Sequence, residues 1–344
     1  MKKVTMSDIA KKMGISTVSV SKALSGKEGV SDSVRENIIK VAQEMGYKYV
    51  TSSREMACGV HNNIGVIVPE RFFSENAFYS DLYQRVVKAF DKKGISCILE
   101  IISRQNEKEC VMPNMMVNDK IDGLVVLGQM YPEYIDALAD STVPYIFLDF
   151  YNDKNAVDSV VGDSVYGSYL LTNYLISNGY TRIGFVGDIY ATSSILDRYM
   201  GYYKAMIEHK LDAPKSWLIS DRNDVGDYIK MELPEDMPDA FVCNCDEAAY
   251  YFINQLKQAG YAVPDDISVV GFDDYIYAKL CFPMLTTFRI DLEMMSEVAC
   301  DAITRKVCDP DYRIGRKVIC GDLVIRDSVK ERMDGADGKS KNKK

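Results

Sequence analysis

Side chains able to do covalent or metal chemistry are few in this chain, and their spacing does not suit it. Only two histidines occur, His61 and His209, far apart and with no Cys or Asp at ligand spacing. A zinc site or a His-dependent nucleophile needs convergent groups that this pattern does not supply. The nine cysteines include no CxxC; the nearest pair is Cys243 and Cys245, and the others are scattered through apolar segments. That usage points to reduced, buried thiols in a cytoplasmic protein, not to a disulfide framework. No GxGxxG follows the first β-branched run, and Gly26-Lys27 lacks the flanking glycine of a phosphate loop. Asp273 and Asp274 could be read as an acid/base pair, but adjacent side chains usually diverge and ligand hydrogen bonding explains them better. An α/β enzyme is therefore a remote reading, and neither metal nor cofactor is expected.

What the chain does carry is a polarised charge. Residues 1–54 hold ten Lys/Arg against five acids, a net of +5, in a chain whose total is −9. A basic head on an acidic body suits an arm that meets a polyanion and a body that does not. No stretch approaches the roughly eighteen consecutive apolar residues of a membrane span. The start, Met1-Lys2-Lys3-Val4-Thr5, has charge but no apolar run behind it, so neither a membrane partner nor a secretory leader is expected.

The elements that must position these groups fall into two kinds. Up to Gly46 the pattern predicts three short helices. Thr5-x-x-Asp8 starts the first, which carries Met6, Ile9, Ala10 and Met13 on one face and stops at Gly14. Ser16 opens a second with Val20, Ala23 and Leu24 inward, and Ser31 a third with Val34, Ile38, Val41, Ala42 and Met45 inward. Two helices joined by a short glycine-containing turn make a helix-turn-helix, and the third supplies the remaining core wall.

From Asn62 onward, short β-branched runs alternate with amphipathic helical stretches. The predicted strands are 64–68, 97–102, 123–127, 145–148 and 160–161, then 183–186, 217–219, 240–243 and 267–271, with helices at 81–93, 166–177 and 247–259. Strand, helix, strand at this spacing builds doubly wound parallel sheets of an α/β fold. So many units predict two lobes parting near residue 162, with a ligand between the carboxyl ends of their strands.

On these residues the chain resembles the LacI/GalR transcriptional regulators over residues 4 to about 327. The run from Val4 to Leu24 (VTMSDIAKKMGISTVSVSKAL) resembles that family's helix-turn-helix signature. Colinear matches follow at Ile64–Pro69, Asp122-Gly123-Leu124, Gly162-Asp163, Gly179-Tyr180-x-Arg182-Ile183, Arg198-x-x-Gly201-Tyr202, Val263–Asp274 and Leu285-Thr286-Thr287. The resemblance implies a helix-turn-helix headpiece (1–47), a hinge (48–61) and a periplasmic-binding-protein-like core (62–327). The N-lobe would take 62–161 and 291–320, the C-lobe 162–290 and 321–327, and residues 328–344 would form a disordered tail.

It also implies a homodimeric repressor on a pseudo-palindromic operator in double-stranded DNA, controlled by a small effector, with a sugar or sugar derivative as the expected class. A protein corepressor is the alternative. Thr5, Ser16, Thr17, Val18, Ser19, Ser21, Lys22 and Ser31 are expected at the DNA, joined by Arg54 and Met56 from the hinge. Thr17 and Val18 are short and partly apolar, suited to thymine methyls. Lys22 replaces the usual arginine and lacks its planar fork. Met56 stands where relatives place a minor-groove leucine, and an unbranched apolar side chain can act as a wedge there. The effector positions carried over are Phe78, Tyr79, Asp149, Arg198, Arg222, Asn244 and Asp273. Phe78 and Tyr79 follow extra residues, Arg71-Phe72-Phe73-Ser74-Glu75. An arginine at 222, where relatives carry an aromatic, raises the expectation of an anionic effector if it faces the cleft.

Overall fold

The structure, a computed structural model, describes residues 5–24, 29–45, 62–73, 77–152, 157–223 and 226–332. The expected hinge, with Arg54 and Met56, lies outside the described residues.

The first three helices are α1 (Met6–Met13), α2 (Thr17–Leu24) and α3 (Asp32–Glu44). Thr5 opens α1 with a reciprocal cap: Asp8 N donates to Thr5 Oγ1 at 3.3 Å, and Thr5 N donates to the Asp8 carboxylate at 2.8 Å. Gly14 ends it at φ 66°, a left-handed conformation that only a residue without Cβ adopts cheaply. Ser16 Oγ accepts Ser19 N at 3.0 Å and so caps α2. The helices close on Ile9, Ala10, Val20, Ala23, Leu24, Ile38 and Ala42. Val34, expected inward, is 42% exposed; among the described side chains of α3 the buried ones are Ile38 and Ala42.

Next come β1 (Asn63–Pro69), α4 (Glu70–Phe73), α5 (Ala77–Asp91), β2 (Ser96–Ile102), α6 (Arg104–Lys108) and α7 (Asn114–Val117). They are followed by β3 (Gly123–Leu127), α8 (Pro132–Ala139), β4 (Tyr145–Leu148) and β5 (Ser159–Gly162). The chain then builds α9 (Ser164–Ser177), β6 (Ile183–Val186), α10 (Ser193–Glu208), β7 (Leu218–Ile219), β8 (Ala240–Cys243), α11 (Asp246–Gln258), β9 (Ser268–Val270) and α12 (Ile276–Leu280). It finishes with β10 (Thr287–Ile290), α13 (Leu292–Cys308), β11 (Arg316–Ile319) and β12 (Gly321–Val324).

The strands form a six-stranded parallel sheet in the order β11-β5-β4-β3-β1-β2 and a four-stranded parallel sheet in the order β7-β6-β8-β9. A two-stranded antiparallel ladder, β10 with β12, lies where the chain passes between them. One contiguous apolar cluster runs from Val66 and Val125 through Phe288 and Ile290 to Leu171 and Phe185. The lobes therefore share core at their junction as well as facing one another.

Two differences from the sequence reading have clear causes. The ladder strands and β11 were not expected; three of the four β11 residues are exposed, so no apolar period marks it. The tail expected to be disordered from residue 328 is packed as far as Arg332. Ser328 is buried, its Oγ donating to Val269 O at 2.6 Å and accepting Thr286 N at 2.8 Å. Lys330 N donates to Ser268 Oγ at 3.1 Å, and Arg332 pairs with Asp239 at 2.8 Å. These are polar anchors, which hydrophobic periodicity does not register.

Candidate ligand cleft and nucleic-acid interface

The carboxyl ends of the two parallel sheets face each other, and the residues expected to bind an effector follow those ends. Phe78 and Tyr79 stand on α5, after β1, and Asp149 directly follows β4. From the other lobe, Arg198 stands on α10, while Arg222, Asn244 and Asp273 follow β7, β8 and β9. All seven line one small cavity of about 60 Å³. It also takes in Phe72, Thr192, Ser194, Ile195, Tyr228 and Cys245, which the sequence reading did not single out. Phe72 could have been suspected, since it lies in the extra residues before the family's aromatic pair. Cys245 directly follows the expected Asn244, whereas nothing in the sequence marked Tyr228.

At the centre is the Arg198 guanidinium. It donates to Asn244 O at 2.7 Å and to Asp273 Oδ1 at 3.2 Å, and lies 4.0 Å over the Phe272 ring. Its Nε is buried without a hydrogen-bond partner among the described residues. Opposite it, Tyr79 donates its hydroxyl to Asp149 Oδ2 at 2.9 Å, and the Tyr79 ring stacks on Phe72 at 5.0 Å.

The two carboxyl groups are held unusually. Asp149 and Asp273 have φ of 70° and 108°, conformations uncommon for a residue with a Cβ and found preferentially at functional sites. Burial pushes the Asp273 carboxyl up to about 7; Arg198 opposes the rise, and the charges of Asp149 and Glu247 add to it. Burial raises the Asp149 carboxyl too, against the opposing pull of Arg198 and the Tyr79 hydroxyl.

Arg222 lines the cavity, but its charge is already answered. Its Nε and Nη2 form a fork on Asp221 at 3.0 and 2.7 Å, and Asn244 Nδ2 donates to the same carboxylate at 2.8 Å. Burial alone would raise Asp221, yet the Arg222 fork holds it below the usual carboxylate range. The expectation of an anionic effector therefore loses its basis, because no spare positive charge stands at residue 222.

Beside this cavity lies a larger one of about 330 Å³, sharing Phe72, Thr192 and Arg222 with it. Polar contacts cross between the lobes. Tyr151 donates to both Asp197 oxygens at 2.9 and 3.0 Å, Ser193 N donates to Gln129 Oε1 at 2.8 Å, and Arg104 pairs with Asp227 at 2.6 Å. The lobes are thus drawn together over the cleft.

In the headpiece, Ser16, Thr17, Val18, Ser21, Lys22 and Ser31 are exposed, as is Thr5, and Ser19 is half-buried. Val18 is 64% exposed at the start of α2, while Val20, Ala23 and Leu24 anchor the opposite face. A helix that turns its small polar and apolar residues outward at its N-terminal end has the form of a major-groove reader. Arg35 Nη1 donates to Ala23 O at 3.1 Å and so ties α3 to the C-terminal end of α2.

Comparison with known proteins agrees with this arrangement at both ends of the chain. Residues 5–49 match the model of bacterial regulatory proteins of the lacI family, and residues 172–329 match a periplasmic binding protein-like domain. The HTH-type transcriptional repressor PurR of Vibrio parahaemolyticus is 26% identical over 333 residues, covering 95% of this chain and 99% of its own. That of Photobacterium profundum is 27% identical over 336 residues, covering 95% and 99%. The chain thus joins a lacI-family helix-turn-helix domain to a periplasmic binding protein-like core. It is a DNA-binding transcriptional regulator with a helix-turn-helix headpiece and a ligand-binding core. Solved structures share the fold of this chain. A complex of the transcriptional regulator CelR with cellobiose superposes with a TM-score of 0.67 at 20% identity, covering 95% of this chain and all of that one. The lac repressor dimer bound to operator and the anti-inducer ONPF superposes with a TM-score of 0.68 at 20% identity, covering 95% and 99%.

Proposed function

We propose that this LacI-family regulator acts as a homodimeric repressor on a pseudo-palindromic operator. A neutral polyhydroxylated small molecule, a sugar or sugar derivative, binds between its lobes and sets its operator affinity. The observation that carries this reading is the convergence of seven side chains from both lobes around Arg198, whose buried Nε lacks a partner. A ligand oxygen would satisfy that donor. The Asp149 and Asp273 carboxylates would accept hydroxyl hydrogens, and the Phe72–Tyr79 stack would take the apolar face of a ring. Since the cavity's arginines are each paired with a carboxylate, the acceptors favour a donor-rich, uncharged molecule.

The same geometry supplies the coupling. A ligand held by Asp149 on one lobe and by Arg198 and Asp273 on the other stabilises the closed arrangement over an open one. It shifts the population only by its difference in affinity for the two. A typical coupling of about 1–3 kcal/mol changes operator affinity roughly 5–150-fold. In the dimer, two α2 helices would read half-sites about one helical turn apart. Residues such as Arg54 and Met56 would act between them, at the operator centre.

The test is a thermal-shift screen of purified protein against sugars and other metabolites, followed by operator titrations with and without each hit. A sugar should raise the midpoint of unfolding and change operator affinity. A hit that binds tightly but leaves operator affinity unchanged, or a protein with no salt-sensitive preference for any inverted repeat, would end this reading.

A further inference from the structure

A cavity of about 450 Å³ lies away from the cleft, at the amino ends of the strands of the six-stranded sheet. It is walled by the turn before β4, the residues entering β3 and β5, and the end of α13 with the loop that leads into β11. The effector residues of that lobe follow the carboxyl ends of the same sheet. The five residues of β3, at about 3.3 Å each, put about 15 Å between the two ends. No lining residue is shared with either cleft cavity. We infer that this cavity is a second small-molecule site, for a monoanionic carboxylic acid with an apolar, ring-sized body. The site goes beyond the inter-lobe sugar reading and does not depend on it.

Its walls are anchored. Ser141 Oγ accepts Val143 N at 3.1 Å and fixes the turn, and Pro144 O accepts Leu124 N at 2.9 Å, which seats that turn on β3. The facing wall is tied by the buried carboxylate of Asp158. It accepts Ile314 N at 2.9 Å and Gly315 N at 2.8 Å and pairs with Lys306. One group thus joins α13, the start of β5 and the loop before β11. Binding between segments already held in place costs little ordering.

The lining sets the ligand class. Val143, Pro144, Val157, Val307 and Pro310 make its apolar part, together with the Tyr145 ring. An apolar cavity of about 150 Å³ accepts benzene, so this one has room for a ring with its substituents. Two cations stand in the lining, and they differ. Lys306 is spent on Asp158. Arg313 is exposed and donates through Nη1 to two neutral carbonyls, Pro310 O at 2.6 Å and Tyr312 O at 2.8 Å; no carboxylate among the described residues pairs with it. Its Nε–Nη2 edge is left for the planar pair of oxygens of a carboxylate. Asp122 is the one carboxylate in the lining, and it disfavours a second anionic group on the ligand.

Calorimetry on the full chain decides the matter. The probes are benzoate, phenylacetate and 4-hydroxybenzoate, with benzamide and benzyl alcohol as uncharged counterparts and acetate and inorganic phosphate as anions lacking the ring. An aromatic carboxylate should bind at least about tenfold more tightly than any of the four controls, and Arg313→Gln should erase most of that difference. Arg313 is exposed, so the variant should keep the parent's thermal midpoint. Should the midpoint fall, Thr142→Trp decides instead, because an indole at this exposed lining position fills the cavity and should cost the same affinity. Binding that is equal in parent and variant, benzamide or acetate matching benzoate, phosphate binding most tightly, or no binding of any aromatic carboxylate would each overturn the site and leave the inter-lobe sugar reading untouched.

Discussion

Replacing Asp273 by Asn should remove a pH dependence that the parent protein shows in two assays. The folded carboxyl titrates at about 7, against about 3.9 in an unfolded chain. The folded state therefore holds this proton more tightly. The contribution to stability is fully present below about pH 4 and is lost as the pH rises to about 7. Between about pH 5 and about pH 8 the loss comes to about 2.5 kcal/mol. That is about 5 °C in the unfolding midpoint of a core this size. Asp149 is raised by burial as well, moves in the same sense and titrates in both proteins, so the difference between them reports Asp273 together with its coupling to Asp149. Ligand binding should slope the other way. Only the ionised carboxylate accepts from two hydroxyls; about a tenth of it is ionised near pH 6 and about nine-tenths near pH 8, so affinity rises roughly tenfold. Thermal melts and calorimetry on parent and Asp273→Asn, across that range, read both slopes. A variant that keeps the parent's slopes would show that Asp273 is neither the titrating group nor a ligand acceptor.

Three further outcomes follow from the geometry. Tyr151→Phe removes the hydroxyl that bridges to both Asp197 oxygens across the lobes. It should weaken the closed form by about 1 kcal/mol, seen as a several-fold loss of ligand affinity in calorimetry. Gly201→Ala would place a Cβ 2.1 Å from Val165 O and 3.0 Å from Tyr169 N, forcing α9 and α10 apart. A loss of about 1–3 kcal/mol or more is expected in thermal unfolding. Lys22→Ala should relax base preference at one position of a selected operator while leaving the headpiece folded, because Lys22 is exposed and outside the helix core. An unchanged selection profile would count against a base-reading role.

The Gly201 contact also shows what a motif conceals. Arg198-x-x-Gly201-Tyr202 is legible as a signature, and the structure explains each member physically. Arg198 anchors the cleft, Gly201 lets the α9 backbone approach, and Tyr202 buries its ring while donating to Ile183 O at 2.7 Å. The strands at Gly123–Leu127, Tyr145–Leu148, Ile183–Val186 and Ala240–Cys243 were readable to the residue, because buried parallel strands are short β-branched runs between helices. Trp217, expected in a strand, instead lies in a 3-10 turn before Leu218, its indole donating to Asp236 O at 2.9 Å.

What the sequence determined by itself was local or periodic. It set the capped headpiece helices, the order of strands and helices, the polarity of charge between head and body, and the residues that stand at strand ends. The tertiary structure alone decided which charges are free. Arg222 has one appearance in sequence whether it meets a ligand or the neighbouring Asp221, and only the fold, which buries Asp221 beneath Asn244 and Asp188 N, commits it to the second. The division of the cleft into a small inner and a large outer chamber was likewise invisible. It depends on α4, from one lobe, and the loop at Tyr190, from the other, lining one cavity, and such a juxtaposition of segments far apart in sequence leaves no period in the chain.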